Sequence, residues 1–160
     1  MGHRVITGLE WAKLLKSRPK AIPVGRPRGA KAKGIHYERE LAKLLPSASA
    51  GRWFEFEDRN GHGHCQPDFV LSFASELVVL ECKLTWVPAG HTQIEQLYQP
   101  VLESLSAKRV LGVVVCKNLL PNMPVPVFGD LASAIAGARS GRAVWHWLGV
   151  GGIGEIAQAA

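Results

Sequence analysis

Three charged residues stand in otherwise apolar stretches near the middle of the 160-residue sequence, and their types and spacing could do chemistry. Asp68 begins one apolar run, while Glu81 and Lys83 interrupt another. Burying a carboxylate or an ammonium group costs free energy unless the group is paired or bound to a metal. We therefore expect these side chains to meet, either as paired charges or around a metal.

The second apolar run, residues 77–84, has the composition of a central strand. It is apolar at both phases of the two-residue strand period apart from Glu81 and Lys83, which indicates cover on both sides. Side chains alternate across a strand, so Glu81 and Lys83 share one face and Cys82 points to the other. A carboxylate would then lie beside an ammonium group.

The first run, residues 69–73, reads as the strand that precedes it. Pro67 cannot donate a hydrogen bond to a sheet and therefore suits the start of a strand. A hairpin that turns near residues 74 and 75 would return the chain and bring Glu81 close to Asp68.

A helix is predicted upstream, over residues 34–45. On a wheel of about 100° per residue its apolar side chains form one broad face. Glu38 falls inside that face, whereas Glu40 falls beyond its edge. The spacing thus predicts that Glu38, and not Glu40, points inward.

These residues carry a family resemblance. Pro67-Asp68, twelve intervening residues and Glu81-Cys82-Lys83 resemble the signature of the PD-(D/E)XK nuclease superfamily. The Gly-x-x-x-Glu-Arg-Glu-Leu opening of the predicted helix is similar to the first helix of archaeal Holliday-junction resolvases, and the resemblance covers about residues 33–107. It implies an α/β fold with a restriction-endonuclease-like core, in which a mixed central sheet is flanked by helices.

The resemblance also implies a chemistry, the hydrolysis of DNA phosphodiesters to a 5′-phosphate and a 3′-hydroxyl. Mg2+, for which Mn2+ is expected to substitute, would be held by oxygen ligands. The implied ligands are Asp68, Glu81, the Cys82 carbonyl and Glu38, the last directly or through water. Lys83 would orient the attacking water or help to deprotonate it, and the implied catalytic set is Glu38, Asp68, Glu81 and Lys83.

A glutamine on the following helix supports the site in some branches of the superfamily. The apolar spacing predicts that helix over residues 92–106, with a kink or a lost hydrogen bond at Pro100. Gln93 is the candidate supporting residue, with Gln96 as the other choice. Gln93 and Tyr98 are five residues apart, so the Gln-x-x-x-Tyr spacing of the exonuclease-like branch is not reproduced.

The net charge of +6 is concentrated in one stretch. Residues 16–33 hold seven basic and no acidic side chains, which leaves 12 basic against 13 acidic in the rest of the chain. A basic stretch suits a polyanion, because each phosphate that it neutralises releases counterions. It would otherwise be a solvated linker. The residues predicted to contact nucleic acid are Arg26, Arg28, Lys31 and Lys33, with Arg59 from a polar loop at the mouth of the site.

Length and composition favour one nuclease domain. We expect an N-terminal helix and basic arm over residues 1–33, the nuclease domain over 34–148 and a flexible tail over 149–160. Three cysteines, an odd number, fit a reduced intracellular protein. The sequence begins without the apolar segment of a signal peptide and has no run of about 18 apolar residues, so we expect a cytoplasmic protein with no membrane partner.

The remaining segments have simpler patterns. The N-terminal helix would begin at a capping box, Thr7-Gly-Leu-Glu10, and residues 58–66 would form a mobile loop. Strands are predicted over 52–57, 109–116 and 143–148, and a helix over 130–138. Trp145 and Trp147 are expected to pack in the core rather than stack on bases.

Other functions fit the same residues. A resolvase should be a twofold dimer on a branched DNA junction, but cutting of linear duplex, as by a restriction enzyme, or exonuclease action also fits. A non-catalytic nucleic-acid-binding protein could use the basic arm alone. The charges could be plain ion pairs. A zinc site of His62, His64 and Cys65 with Cys82 or His91 would not match the usual structural zinc spacings.

Overall fold

The computed structural model describes residues 3–22 and 28–154, and within these ranges eight strands form two sheets. The smaller sheet is antiparallel, in the order β1 (Trp11–Leu14), β2 (Phe54–Asp58) and β3 (Gly61–Cys65). The larger sheet has the order β4-β5-β6-β8-β7. Its strands are β4 (Phe69–Ser72), β5 (Glu76–Thr85), β6 (Arg109–Asn118), β7 (Val127–Phe128) and β8 (Ala143–His146). β4 runs antiparallel to β5, and the other pairs are parallel, so the sheet is mixed.

Helices cover both faces of the mixed sheet. One face is covered by α1 (Ala30–Ala42) and α4 (Leu131–Ala138), and the other by α2 (Pro88–Gln93), a π-helical turn (Ile94–Tyr98) and α3 (Gln99–Leu105). A short 3-10 turn (Ser47–Ser49) follows α1. The chain is therefore an α/β protein with a mixed sheet flanked by helices. None of the helices in the described ranges is long and apolar enough to cross a lipid bilayer.

The central strands are buried on both faces, as their sequences predict. In β5, Val78 and Leu80 pack under α1 and α4, whereas Val79 packs under the α2–α3 side. β6 divides its side chains in the same way. Burial of long apolar strands between two helical layers supplies the core, at roughly 25 cal/mol per Å2 of apolar surface removed from water. Trp145 and Trp147 lie in this core, at 0% and 1% exposure, as expected.

The predicted N-terminal helix is wrong, because the segment forms strand β1. Lys13 lies opposite Glu55 in an antiparallel pairing with β2. The edge of β2 presents unpaired backbone groups, and β1 satisfies them. The pairing continues beyond the strand, since the Arg59 N–H donates to the Thr7 carbonyl. The Arg4 guanidinium also pairs with the buried Asp58 carboxylate at 2.5 Å. Pairing with β2 thus overrides the local helical spacing.

The predicted mobile loop over residues 58–66 is also wrong. Asp58 pairs with Gly61, so only Arg59 and Asn60 form the turn of a β2–β3 hairpin. Gly61 has φ +103°, a conformation that L side chains rarely adopt, which suits a glycine after the turn. The glycine-rich sequence of β3 does not predict a strand, but β3 forms one because it pairs with β2.

Two helices begin four residues earlier than expected. α1 starts at Ala30 rather than Gly34, and the second helical segment starts at Pro88 rather than Thr92. Proline suits the first position of a helix, because its missing N–H would have no partner there. The predicted turn after β4 is confirmed, with the Phe73 N–H donating to the Glu76 carbonyl.

The described part of the predicted tail packs on the domain. The Leu131 and Ala132 N–H groups at the start of α4 donate to the carbonyls of Gly152 and Ile153. These bonds satisfy donors that a helix start leaves free. Residues 155–160 lie outside the described residues.

Candidate active site

Asp68 and Glu81 face each other across the β4–β5 hairpin. Phe69 lies opposite Leu80 in the antiparallel register, so the next pair outward is Asp68 and Glu81. The Cys82 N–H donates to the Asp68 Oδ2 at 2.7 Å and fixes that carboxylate against β5. The sequence prediction that the hairpin brings these two residues together is confirmed.

Burial and mutual repulsion keep protons on this pair. Glu81 is only 3% exposed. Burial first and then the charge of Asp68 raise the Glu81 pKa from its ordinary 4.5 to about 8, although Lys83 opposes the shift. Burial likewise raises the pKa of Asp68, against the Cys82 N–H and the Lys83 charge, which favour its ionised form. Two carboxylates held together in a buried site, with only partial compensation from Lys83, therefore resist full ionisation.

Among the described residues, no N–H or hydroxyl group donates to one of the two Glu81 oxygens. Lys83 Nζ lies 3.0 Å from Glu81 Oε1, but within the described residues the buried Oε2 accepts no hydrogen bond. Leaving a buried polar atom unsatisfied costs on the order of 1–3 kcal/mol. A carboxylate pair with a free buried oxygen is the kind of ligand set that a hard divalent cation such as Mg2+ prefers.

Lys83 connects this pair to the helix that follows. Its Nζ also donates to Gln93 Oε1 at 3.5 Å, and Gln93 Nε2 donates to the Tyr98 hydroxyl at 2.5 Å. The Tyr98 hydroxyl in turn donates to the Gln66 carbonyl at 3.4 Å, two residues before Asp68. Burial raises the pKa of the Tyr98 hydroxyl, with smaller contributions from Glu81 and Asp68, so it stays protonated as a donor. Of the two candidate glutamines, Gln93 reaches the site, whereas Gln96 is exposed and bonded to His3.

The π-helical turn is what joins Gln93 to Tyr98. In an α-helix, side chains three and four residues apart are neighbours, whereas these two are five apart. Residues Ile94–Tyr98 form a π turn, whose wider winding brings residues that are five apart in the sequence next to each other. Sequence reasoning missed this contact because it assumed regular α-helical spacing.

Pro100 explains why the turn widens there. It has no N–H and would clash with the carbonyl of Gln96 in a regular helix. Instead, the Gln99 N–H reaches back to the Ile94 carbonyl, and the Gln96 carbonyl accepts from the Ile6 N–H of the N-terminal segment. The expectation that Pro100 displaces a backbone hydrogen bond is confirmed.

Glu38 approaches Asp68 from α1. Its side chain is half-buried, and burial together with the Asp68 charge raises its pKa from 4.5 to about 7. Glu40 instead pairs with Lys43 at 2.7 Å on the surface. The predicted inward and outward orientations are both confirmed.

Two groups under α1 set its position. The Tyr37 hydroxyl donates to the Trp147 carbonyl at 2.8 Å and ties the helix to the end of β8. The side chain of Cys82 packs on this same face of the sheet. Burial and the nearby carboxylates raise the pKa of the Cys82 thiol, so it stays neutral. Its backbone N–H is the group that bonds to the acidic pair.

The predicted nucleic-acid contacts divide into three groups. Lys31 and Lys33 are exposed on the first turns of α1, just after exposed Arg28. Lys33 also lines a groove of about 550 Å3 with His36 and Lys117. Arg26 lies outside the described residues. Arg59 is misplaced by the sequence prediction, because it occupies the hairpin turn at the opposite end of β3 from Cys65, the end that leads to Asp68.

The histidines form a different group from the one weighed above. Cys65 is buried in the core, and His91 accepts a hydrogen bond from the Trp86 indole, so neither joins His62 and His64. Their neighbour is Glu55, and the potential ligand atoms of Glu55, His62 and His64 lie within 4.8 Å of one another. This group could hold a metal ion.

Comparisons of the chain with family models, with curated proteins and with solved structures found no match.

Proposed function

We propose that this protein is a Mg2+-dependent deoxyribonuclease of the PD-(D/E)XK type with a restriction-endonuclease-like core. The observation that carries the proposal is the buried Asp68–Glu81 pair, in which one Glu81 oxygen has no hydrogen-bond partner among the described residues and Lys83 lies 3.0 Å from the other. Most buried polar side-chain atoms in folded proteins have a partner, so a free buried acceptor beside a second carboxylate suits the binding of a cation. Glu38 adds a third carboxylate near enough for the Asp68 charge to raise its pKa.

The ligands assigned to Mg2+, or to Mn2+ in its place, are all oxygen atoms. They come from Asp68, Glu81, the Cys82 carbonyl and, directly or through water, Glu38. A cation bound there would lower the pKa of the attacking water and stabilise negative charge on the phosphoryl group. The chain holds its ligands rigidly, since the Cys82 N–H fixes Asp68 and buried β5 carries Glu81.

Lys83 is assigned as the source of positive charge in the site besides the metal. Its ammonium group would orient the attacking water or help to deprotonate it, and would balance charge on the scissile phosphate. Gln93 accepts a hydrogen bond from this ammonium group, which also pairs with Glu81, and Gln93 in turn donates to Tyr98. The products assigned to the reaction are a 5′-phosphate and a 3′-hydroxyl.

DNA is the proposed substrate, with a four-way junction as the first form to test. The exposed Lys31 and Lys33 belong to the helix that carries Glu38, so phosphates bound there would lie along the approach to the site. A junction-resolving enzyme would act as a twofold dimer.

The experiment compares cleavage by the purified chain and its Asp68→Ala variant. Labelled four-way junction, matched linear duplex and single strand are incubated with Mg2+ or EDTA. We expect cutting that needs Mg2+ and is lost in the variant, and paired symmetric nicks confined to the junction would assign a resolvase. Cutting of linear duplex would retain the nuclease and discard junction specificity. Binding that survives in Asp68→Ala, with no cutting by either protein, would overturn the proposal and favour a non-catalytic binding protein.

A further inference from the structure

The outer face of the small sheet carries a cluster of potential metal ligands that does not include the Asp68–Glu81 pair. Glu55 on β2 lies directly opposite His64 on β3, and His62 is two residues from His64 on the same strand. Residues two apart on a strand share a face. The opposite face of the hairpin is apolar, because Phe54 and Phe56 enter the core. The backbone thus fixes all three side chains on one outward surface.

The three side chains already interact without a metal. His62 Nε2 and Glu55 Oε1 are 2.5 Å apart, and the His62 and His64 rings meet edge to face with centroids 4.8 Å apart. His62 bonds to the diagonal Glu55 rather than to Glu57, which lies directly opposite it. The side chains therefore converge on one point.

We propose that Glu55, His62 and His64 form a binding site for a transition-metal ion of the Zn2+ class. Two imidazoles and one carboxylate are a donor set that suits Zn2+ and related ions, whereas Mg2+ prefers oxygen ligands alone. With ligand bonds of about 2.0–2.1 Å, tetrahedral ligand atoms lie about 3.3 Å apart. The potential ligand atoms lie within 4.8 Å of one another, and rotation of these side chains on the open surface can bring them to the distances that a metal requires.

Lys13 supplies a partner in the outer shell of the site. Its Nζ lies 2.9 Å from Glu55 Oε2 and leaves Oε1 to face the histidines. Hydrogen-bonded outer partners orient metal ligands and are a regular part of such sites. Lys13 lies opposite Glu55 on β1, so a metal here would link β2 and β3 directly and β1 through the Lys13–Glu55 ion pair. The site goes beyond the proposed nuclease and does not depend on it.

The test titrates the full chain with Zn2+ by calorimetry and with Co2+ by visible absorption. We expect one Zn2+ per chain and a Co2+ absorption band typical of nitrogen ligands. His64→Ala should weaken binding at least tenfold, whereas His36→Ala, which removes an exposed histidine of α1, should not change it. Asp68→Ala should bind Zn2+ as the parent does, which separates this site from the acidic pair.

Thermal unfolding gives a second measure of Zn2+ binding to the folded protein. Zn2+ should raise the Tm of the parent and of Asp68→Ala but not that of His64→Ala, because only binding to the folded state stabilises it. If His64→Ala does not fold, His64→Asn replaces it. Equal Zn2+ affinity in the parent and the His64 variant, or no stoichiometric binding by the parent, would overturn the proposal.

Discussion

At the scale of single residues, the unusual feature is a set of three carboxylates that lie near one another with one ammonium group. Surface ion pairs contribute little and accept water as a partner. Glu81 instead lies buried, one of its oxygens accepts no hydrogen bond from the part of the chain that the structure describes, and its pKa is raised to about 8. Such perturbed groups are candidates for function because a folded chain keeps them at a cost in stability.

The two glutamates of α1 give a matched pair of substitutions. Glu38→Ala should reduce cleavage at least about 100-fold, because Glu38 is half-buried on the side of α1 that faces Asp68, whose charge helps to raise its pKa. Glu40→Ala should leave most of the activity, because Glu40 pairs with Lys43 at the surface. Single-turnover cleavage in Mg2+ measures both. Equal losses in the two variants would contradict the assignment of Glu38.

The buried carboxyls should make the metal-free protein less stable as the pH rises. The pKa of Glu81 is raised from 4.5 to about 8 and that of Glu38 to about 7. Between about pH 4.5 and 8 the folded state therefore keeps protons that the unfolded state has released, so the free energy of unfolding falls with rising pH. The slope approaches about 1.4 kcal/mol per pH unit for each such group.

Urea denaturation in EDTA from pH 5 to pH 8 measures this slope. Glu81→Gln cannot titrate, so its stability should depend less on pH than that of the parent. Mg2+ should stabilise the parent more at pH 8 than at pH 5, because it binds the deprotonated carboxylates. Parallel pH profiles for the two proteins would show that Glu81 titrates normally.

At the scale of elements, the π turn between α2 and α3 links packing to the site. It presses Ile94 against β6 at Gly112, where an added Cβ would lie 2.5 Å from Ile94 Cγ2. The same turn places Gln93 beside Tyr98 and Lys83. Glycine on β6 therefore permits the close approach that the widened helix needs.

Gly112→Ala should thus destabilise the protein by about 1–3 kcal/mol, the usual cost of an overpacked core. Gly34→Ala provides the control, because a Cβ at that position of α1 meets nothing within 4 Å. Alanine in a helix should stabilise by about 0.5–1 kcal/mol relative to glycine. Chemical denaturation compares the two. A neutral Gly112→Ala would mean that the helix does not pack as closely as described.

At the scale of the whole molecule, the N-terminal segment belongs to the fold, and two basic residues of the 16–33 stretch, Lys31 and Lys33, lie on α1. Deleting residues 1–30 would remove β1 and the Arg4–Asp58 pair, and so would confuse DNA binding with stability. Changing charges on the surface avoids that problem. Lys31 and Lys33 are exposed, and Arg109 at the start of β6, with the half-buried Lys108 just before it, lies at the opposite end of that strand from Lys117.

The double variant Lys31→Gln/Lys33→Gln should therefore bind duplex DNA more weakly. It should lower the slope of log affinity against log salt by about 0.9 for each lost phosphate contact. Lys108→Gln/Arg109→Gln removes the same charge and should leave the slope unchanged. Titrations in EDTA at several salt concentrations, in which no cutting interferes, would measure both. Equal slopes in the two variants would remove α1 from the DNA interface.

The central sheet and the acidic pair could be predicted from the sequence because long apolar strands leave little choice. β5 and β6 are apolar at both phases, and a short turn before β5 fixes which residue faces Glu81. The small sheet could not be predicted in this way. β1 and β3 are short and have weak strand patterns, and both form because β2 offers them backbone partners.

The contact between Gln93 and Tyr98 was hidden for another reason. Regular helical spacing forbids it, and only the displaced hydrogen bonds around Pro100 permit it. The grouping of Glu55 with the two histidines likewise depends on strand register, which their spacing in the sequence does not reveal.

The central claim is that Glu81 acts with Asp68 and Lys83 in metal-dependent cleavage. Its most direct test is the Mg2+-dependent, single-turnover cleavage rate of Glu81→Gln compared with that of Glu76→Gln. The two changes are chemically identical and lie on the same strand, but Glu76 pairs with Arg139 at the other end of β5. We predict a loss of at least about 100-fold for Glu81→Gln and less than about threefold for Glu76→Gln. Equal rates for the two folded variants, or no Mg2+-dependent cutting by the parent, would contradict the account.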